Sequence, residues 1–224
     1  MLSLNKIKPK KYKKYIKKSN LIGTGTQVYC FKYKSPFVLK LAPKTIGFFE
    51  SGLSDPKTVI NSLYPFFLNI NRVLVNNKKY LLYTQRYVNR IKNLGCSRDN
   101  IYLVLTVILT IIYMFKKDVL MTDIGIHNWG DYNSNYVIFD WHGIKPVKKT
   151  SSSDRLIKNV NKYLSNYFSD ITISSNDITK ILLTYDYDII NKYFKRIYSD
   201  LYAKYHNNLS SKQKYYLNLK YNKI

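Results

Sequence analysis

The feature that most constrains the fold is a set of three polar residues, Asp123, Asn128 and Asp140, spaced along one short stretch of chain. Residues 131–135 between them are turn formers, and 136–139 is a short apolar run typical of a buried strand. A strand, a turn and a returning strand would place Asn128 and Asp140 side by side. Amide and carboxylate oxygens are hard ligands that suit Mg²⁺. The stretch therefore predicts a magnesium and phosphate site, with Asp123 on the preceding loop free to face a hydroxyl substrate.

Two patterns upstream also point to phosphate. Residues 22–28 read Ile-Gly-Thr-Gly-Thr-Gln-Val, in which the glycines allow close backbone approach to a phosphate and the threonines can add hydroxyl donors. The candidate residues of this loop are Gly23, Thr24, Gly25 and Thr26. Lys40 follows in an apolar strand-like run, where it either snorkels to solvent or points into a cleft at a phosphate.

In this order the patterns resemble the protein-kinase superfamily. Its catalytic loop has an Asp base followed after four residues by an Asn, and a D-F-G motif lies a short hairpin downstream. Here these are Asp123, Asn128 and residues 140–143, Asp-Trp-His-Gly. Residues 22–28 resemble the glycine-rich loop and 37–41 the strand with the nucleotide-binding lysine. Together the four signals cover roughly residues 20–145.

The resemblance implies an α+β, bilobal protein-kinase-like fold with a small strand-rich N-lobe and an abbreviated helical C-lobe. It implies ATP and Mg²⁺ as cofactors, with Asp123, Lys40 and Asn128 as catalytic residues. Asn128 and Asp140 would be the magnesium ligands.

Two further roles follow from the same resemblance. Thr84 and Arg86 fall in the segment that would form the hinge, against which adenine stacks and bonds through backbone groups. Kinases pair the lysine with a glutamate; Glu50, the only glutamate in the chain, and Asp55 are the two candidates here.

The chain also departs from the kinase pattern. Val28 stands at the third glycine, Met121-Thr122 replaces the His-Arg before the catalytic Asp, and Gly125 stands where Ser/Thr kinases have a lysine. No Ala-Pro-Glu motif follows Gly143. These departures resemble minimal or atypical kinases, of the sort found among viral and bacterial effector kinases.

Three functions remain open at this point. The main interpretation is ATP- and magnesium-dependent phosphoryl transfer to a hydroxyl, with a protein Ser/Thr as the acceptor. The second is a small-molecule kinase of the aminoglycoside or choline type, which shares the Asp-to-Asn spacing. The third is a pseudokinase that acts as a basic nucleic-acid- or protein-binding module.

The coarse organisation predicts a basic arm over 1–19, an N-lobe over 20–87, a C-lobe over 88–205 and a basic tail over 206–224 that frays. Hairpins are expected around residues 34–36 and 76–77, and helices over 54–67, 155–169 and 176–205. The apolar run 101–115 predicts a buried helix, because it is shorter than the roughly 20 residues of a membrane span.

Charge and cysteine content bear on partners and location. The net charge is +24, and residues 6–18 interleave lysines with tyrosines. This arm either binds polyanions, nucleic acid or acidic lipid, or is a solvated tail or a first amphipathic helix packed on the small lobe. The two cysteines and the absence of an apolar segment after the first charges predict an intracellular protein, cytoplasmic or nuclear.

Overall fold

A computed structural model describes residues 7–8, 10–24, 28–43, 67–91, 101–121, 126–132, 135–139, 144–146 and 175–224. The chain divides into two compact units, Met1–Tyr87 and Val88–Ile224. The helices expected over 54–67 and 155–169 lie outside the described residues, except that Phe67 begins a strand instead of ending a helix.

In the described part of the first unit, six strands form one antiparallel sheet. They are β1 (Ile7–Lys8), β2 (Leu21–Thr24), β3 (Tyr29–Lys32), β4 (Phe37–Pro43), β5 (Phe67–Val75) and β6 (Lys78–Arg86), in the spatial order β1-β5-β6-β4-β3-β2. Both predicted hairpins, β3–β4 and β5–β6, are confirmed. Asn76 and Asn77 have φ of 50° and 64°, the left-handed conformation that a two-residue hairpin turn requires and that asparagine tolerates.

One buried hydrophobic cluster of the first unit lies on one face of this sheet. Side chains alternate between the two faces of a strand, so Leu39 and Leu41 of β4 point to the opposite face from Val38 and Lys40. Leu39 and Leu41 belong to a buried cluster with Ile7, Ile16, Phe31, Val73, Val75, Tyr80 and Leu82. Lys40 therefore lies on the opposite face of the sheet from this cluster, where its neighbours Val38 and Ala42 are also buried.

The described part of the basic arm, residues 7–8 and 10–19, is folded onto this cluster and is called the basic segment below. Ile7 pairs with Val75, and Ile16 is 1% exposed within the same cluster. Tyr12 and Tyr15 pack against the cluster partly buried. Of the two structural expectations, packing on the first unit is the one observed, through a short strand and 3₁₀ turns instead of an amphipathic helix.

The second unit is organised around α1 (Ile101–Lys116), which confirms the predicted buried helix. Its residues from Tyr102 to Phe115 are all buried. Among the described residues, no helix is long and apolar enough to cross a membrane.

Short strands of the second unit form two small antiparallel ladders. They are β7 (Asn89–Arg90), β8 (Val119–Met121), β9 (Trp129–Tyr132), β10 (Asn135–Ile138) and β11 (Ile144–Pro146). One ladder has the order β10-β9-β7, and the other pairs β11 with β8. The β9–β10 hairpin predicted between Asn128 and Asp140 is thereby confirmed.

The helix expected over 176–205 is two helices, α2 (Ser175–Leu183) and α3 (Tyr187–Tyr205). Tyr185 breaks the run with a φ of 50°. Asp186 then caps α3 by accepting from the amides of Asp188 at 2.8 Å and Ile189 at 3.2 Å. An Asp within an otherwise helical pattern thus acts as a start signal.

The expectation of a frayed tail is wrong. Residues Ser211–Tyr221 form α4, which begins with a reciprocal capping box between Ser210 and Gln213. Leu217 is fully buried, and the ring of Tyr221 stacks on Tyr198 of α3 at 5.3 Å. The tail is therefore part of the second unit's core.

Candidate active site

Lys40 lies at the centre of the first unit's sheet. In register it has Cys30 of β3 on one side and Tyr83 of β6 on the other. It is 7% exposed. Burying an ammonium is costly unless charge or hydrogen bonds compensate for it, so this position indicates a polar task for Lys40 and not snorkelling to solvent.

The register separates the residues near Lys40 from the proposed hinge side chains. Tyr83 is the direct partner of Lys40, and Gln85, paired with Val38, lies on the same face. Thr84 and Arg86 alternate to the face of Leu39, opposite Lys40. The side chains of Thr84 and Arg86 therefore leave the backbone on the face opposite Lys40.

Gln85 falls within the segment expected to form the hinge, but sequence reasoning assigned its side chain no role. It is 2% exposed, and in the described structure its side-chain oxygen Oε1 has no hydrogen-bond partner. A diagonal neighbour in an antiparallel ladder lies about 7–8 Å away, which places Gln85 close to Lys40. Only the strand register reveals this, because one glutamine in an apolar run gives no signal of its own.

The first glycine of the predicted phosphate loop lies on β2, at the edge of the sheet. Gly23 and Thr24 are exposed and pair with Cys30 and Tyr29, with a register shift just before Gly23. A Cβ built at Gly23 would meet nothing within 4 Å. Packing among the described residues therefore does not require glycine here. Gly25 and Thr26 lie outside the described residues.

In the second unit, Asn128 lies at the open end of the β9–β10 hairpin. It is 3% exposed, and its backbone carbonyl accepts a hydrogen bond from the Phe139 amide at 2.8 Å. The next pair of the ladder is Trp129 with Ile138. The hairpin thus joins Asn128 to the residue that directly precedes Asp140. Asp140 itself lies outside the described residues.

A second strand pair brackets the segment predicted to be the catalytic loop. Met121 of β8 pairs with Ile144 of β11, so the chain enters 122–125 and leaves 140–143 at the same end of this ladder. Asp123 lies in the first of these segments, outside the described residues, as do Glu50 and Asp55. The two ladders together fix the ends of the loops that carry the predicted acidic groups.

The oxygen atoms predicted to bind the metal are of the kind that a hard cation prefers. Asn128 offers an amide oxygen at a buried position, and a carboxylate would complete the type of set that Mg²⁺ takes when it also borrows phosphate oxygens. In the portions of the chain that are described, no group of three His, Cys, Asp or Glu could hold a metal ion.

The far end of the same hairpin is held by residues that sequence reasoning missed. Lys220 of α4 donates to Asn135 Oδ1 and to the Tyr136 carbonyl, both at 3.0 Å. The Tyr102 hydroxyl of α1 donates to the same Asn135 oxygen at 3.2 Å. Burial of the amino group, with a smaller effect of Lys223, lowers the pKa of Lys220 to about 7. Burial likewise raises the pKa of the Tyr102 and Tyr136 hydroxyls.

The described units define an α+β protein with an antiparallel N-terminal sheet and a helical C-terminal part. No protein-family model matches the chain, and no curated protein matches its sequence. Among solved structures it is similar to vaccinia related kinase 3, with a TM-score of 0.55 and 10% identity over 85% of this chain and 87% of that one. The comparison with WaaP in complex with acyl carrier protein gives a TM-score of 0.37 and 11% identity, over 82% of this chain and 88% of that one. The first likeness confirms the predicted kinase-like fold.

Proposed function

We propose that the protein is a phosphotransferase that moves the γ-phosphoryl group of ATP to a hydroxyl acceptor, with a protein Ser or Thr as the acceptor class. The observation that carries this proposal is the closed hairpin in which Asn128 bonds to Phe139, the residue before Asp140. Buried Lys40 on the first unit's sheet supports it independently.

The chemistry assigned to these residues is positioning and charge neutralisation. Asp123 orients the acceptor hydroxyl and takes its proton as the oxygen bonds to the γ-phosphorus. The bond between that phosphorus and the bridging oxygen breaks, and ADP leaves with the electron pair. Lys40 offsets phosphate charge, and Gly23, Thr24, Gly25 and Thr26 contribute amide and hydroxyl donors.

Asn128 and Asp140 are the residues that would hold Mg²⁺. The ion supplies charge neutralisation on the phosphate oxygens when bound. Adenine would be held by backbone groups of the Thr84–Arg86 segment, since those two side chains share the face opposite Lys40. Gln85, with its buried oxygen on the Lys40 face, is an added candidate for this contact.

The test is transfer of labelled γ-phosphate to the protein itself and to generic protein acceptors, with magnesium and with a chelator. The proposal expects acid-stable, base-labile phosphate on Ser or Thr that disappears with the chelator. Transfer to aminoglycosides or choline alone would support a small-molecule kinase. Nucleotide binding without any transfer would support a pseudokinase.

A second proposed activity is binding of polyanions by the folded basic segment. Its lysines at positions 8, 10, 11, 13, 14, 17 and 18 are all exposed. Residues 1–87 contain 17 of the 37 lysines and arginines but only two of the 13 acidic residues. The register adds Lys79 to the same row and face as Lys8, with Leu74 between them. Phosphate groups of nucleic acid or acidic lipid fit such a surface.

The tyrosines of this segment favour phosphate contacts over base stacking. Tyr12 and Tyr15 pack against the core, and the ammonium groups of Lys11 and Lys14 lie 5.1 and 4.9 Å from their ring centroids. The lysines and the core therefore occupy the faces of these two tyrosine rings.

A further inference from the structure

The turn end of the β9–β10 hairpin is attached to the last helix of the chain. Lys220 reaches Asn135 and Tyr136, the first two residues of β10, from α4. The bonded residues are 84 and 85 positions apart in sequence, so these hydrogen bonds connect two elements that are distant along the chain. They link α4 to the strand that leads to Asp140.

The contact between α4 and β10, called the joint below, is a hydrogen-bonded junction that also includes α1. One Asn135 oxygen accepts from both Lys220 and the Tyr102 hydroxyl, which uses its two lone pairs. Tyr102 is 1% exposed, and its ring lies 5.0 Å from that of Tyr136. Three elements, α1, β10 and α4, therefore meet at one satisfied polar group.

We propose that Lys220 is a positioning residue for the phosphotransfer site: from α4 it fixes β10, and through β10 it holds the closure between Phe139 and Asn128. The proposal rests on the proposed function. From Asn135 to Phe139 the strand runs about 13 Å, at roughly 3.3 Å per residue. Lys220 thus acts at a distance, by limiting how the hairpin twists and frays, and touches neither nucleotide nor acceptor.

The direct test is amide hydrogen exchange of Phe139 in the full chain without ligands. Lys220→Met keeps an unbranched side chain and removes all donors, and Lys212→Met changes an exposed lysine of the same helix as a matched control. Loss of two hydrogen bonds from the Lys220 amino group should speed exchange at Phe139 by about tenfold or more. Lys212→Met should leave it within about twofold of wild type.

The catalytic readout is the magnesium concentration for half-maximal transfer. Mutations in the outer shell of a metal site typically cost about 10–100-fold, and Lys220 lies further out, so we expect a rise of about 3–10-fold. Lys220→Arg retains donors for both acceptors, so its magnesium concentration for half-maximal transfer should stay close to that of wild type. A lower unfolding temperature with unchanged Phe139 exchange and unchanged magnesium dependence would overturn the proposal.

Should Lys220→Met not fold, Asn135→Ala tests the same joint from the hairpin side. It removes the oxygen shared by Lys220 and Tyr102, and the same acceleration at Phe139 is expected. Unchanged exchange in Asn135→Ala would again overturn the proposal. Wild-type protein that transfers no phosphate would refute the proposed function instead, while the exchange measurement still reads whether Lys220 holds the hairpin.

Discussion

Two glycines show how differently the same residue type constrains this protein. A Cβ at Gly130 would lie 2.6 Å from Val88 Cγ2 and 2.8 Å from the Asn89 carbonyl, so β7 and β9 approach each other closely only because residue 130 is glycine. At Gly23 the corresponding space is open. Packing explains the first glycine, whereas in the described part of the chain no contact requires the second.

Gly23→Ala is therefore a test of phosphate binding without a folding penalty. We expect an unchanged unfolding midpoint and ATP binding weakened by roughly 3–30-fold, since a methyl group would obstruct close approach of a phosphate to the backbone. Calorimetric titration with ATP and magnesium measures the affinity. Gly130→Ala is the contrasting variant and should lower the unfolding midpoint. ATP affinity equal to wild type in Gly23→Ala would remove Gly23 from the site.

At this scale, sequence identified residues whose chemistry is unusual for their surroundings. Lys40 stands out because a lysine interrupts an apolar strand, and the structure buries it. Lys220 could not be recognised, because it is one of many lysines in a basic tail and its partners lie 84 and 85 residues away. Gln85 could be recognised only from the strand register, because a single glutamine in an apolar run gives no signal of its own.

Hairpins were the elements most accessible to prediction. The Asn76-Asn77 turn and the turn formers after Asn128 are local signals, and both hairpins form as expected. The break between α2 and α3 was missed because Tyr185 adopts a conformation that a bulky residue rarely takes. The order of α4 was missed because its stability comes from Leu217 and Tyr221 packing on other helices.

The joint between α4 and β10 predicts a specific pH dependence of stability. The pKa of Lys220 is lowered to about 7 in the folded protein, against about 10.4 in the unfolded chain. Between about pH 7 and 9.5 the unfolded chain therefore holds a proton that the folded one has lost, and the free energy of unfolding should rise with pH. Tyr102, Tyr136 and Lys223 are the neighbouring titratable groups, and the raised tyrosine pKa values keep those hydroxyls neutral across this range.

Urea titrations of wild type and Lys220→Met at pH 7 and pH 9 measure this effect. Wild type should gain stability relative to the variant as the pH rises. A difference between the two proteins that stays constant across the range would show that Lys220 does not titrate there.

For the whole molecule, the order of motifs was sufficient to predict the kinase-like fold although no family model matches the chain. Gly23, Lys40, Asn128 and the β9–β10 hairpin follow along the sequence as the fold requires, while identity to vaccinia related kinase 3 is 10%. Catalytic geometry constrains few positions, so the core can diverge as long as its apolar pattern and turns persist. The basic segment was harder to place, because Ile7 and Ile16 are sparse among lysines.

Folding of that segment changes how polyanion binding should be tested. Deleting residues 1–19 would remove Ile7 and Ile16 from the core, so charge removal at Lys10, Lys11, Lys13 and Lys14 by glutamine is the better variant. For every lysine that binds a phosphate, its replacement should reduce the slope of log affinity against log salt by about 0.7–0.9. Glutamine at Lys192, Lys204, Lys212 and Lys214, in helices of the second unit, provides the control.

Filter binding with single-stranded nucleic acid and sedimentation with acidic vesicles distinguish the two sources of phosphate. If the quadruple variant of the basic segment and the control variant lose affinity and slope equally, the effect is one of net charge, and the basic segment has no specific role.

The central claim is that Asp123 is the group that activates the acceptor hydroxyl, and the turnover of Asp123→Asn tests it most directly. Asp118→Asn is the matched control, because Asp118 is exposed, has a φ of 54° that asparagine also accepts, and lies just before β8. With ATP affinity measured for both, we expect Asp123→Asn to bind ATP as wild type does and to turn over about 10²–10⁴-fold more slowly. Asp118→Asn should match wild type in both. Equal phosphoryl transfer by wild type and Asp123→Asn would contradict the account.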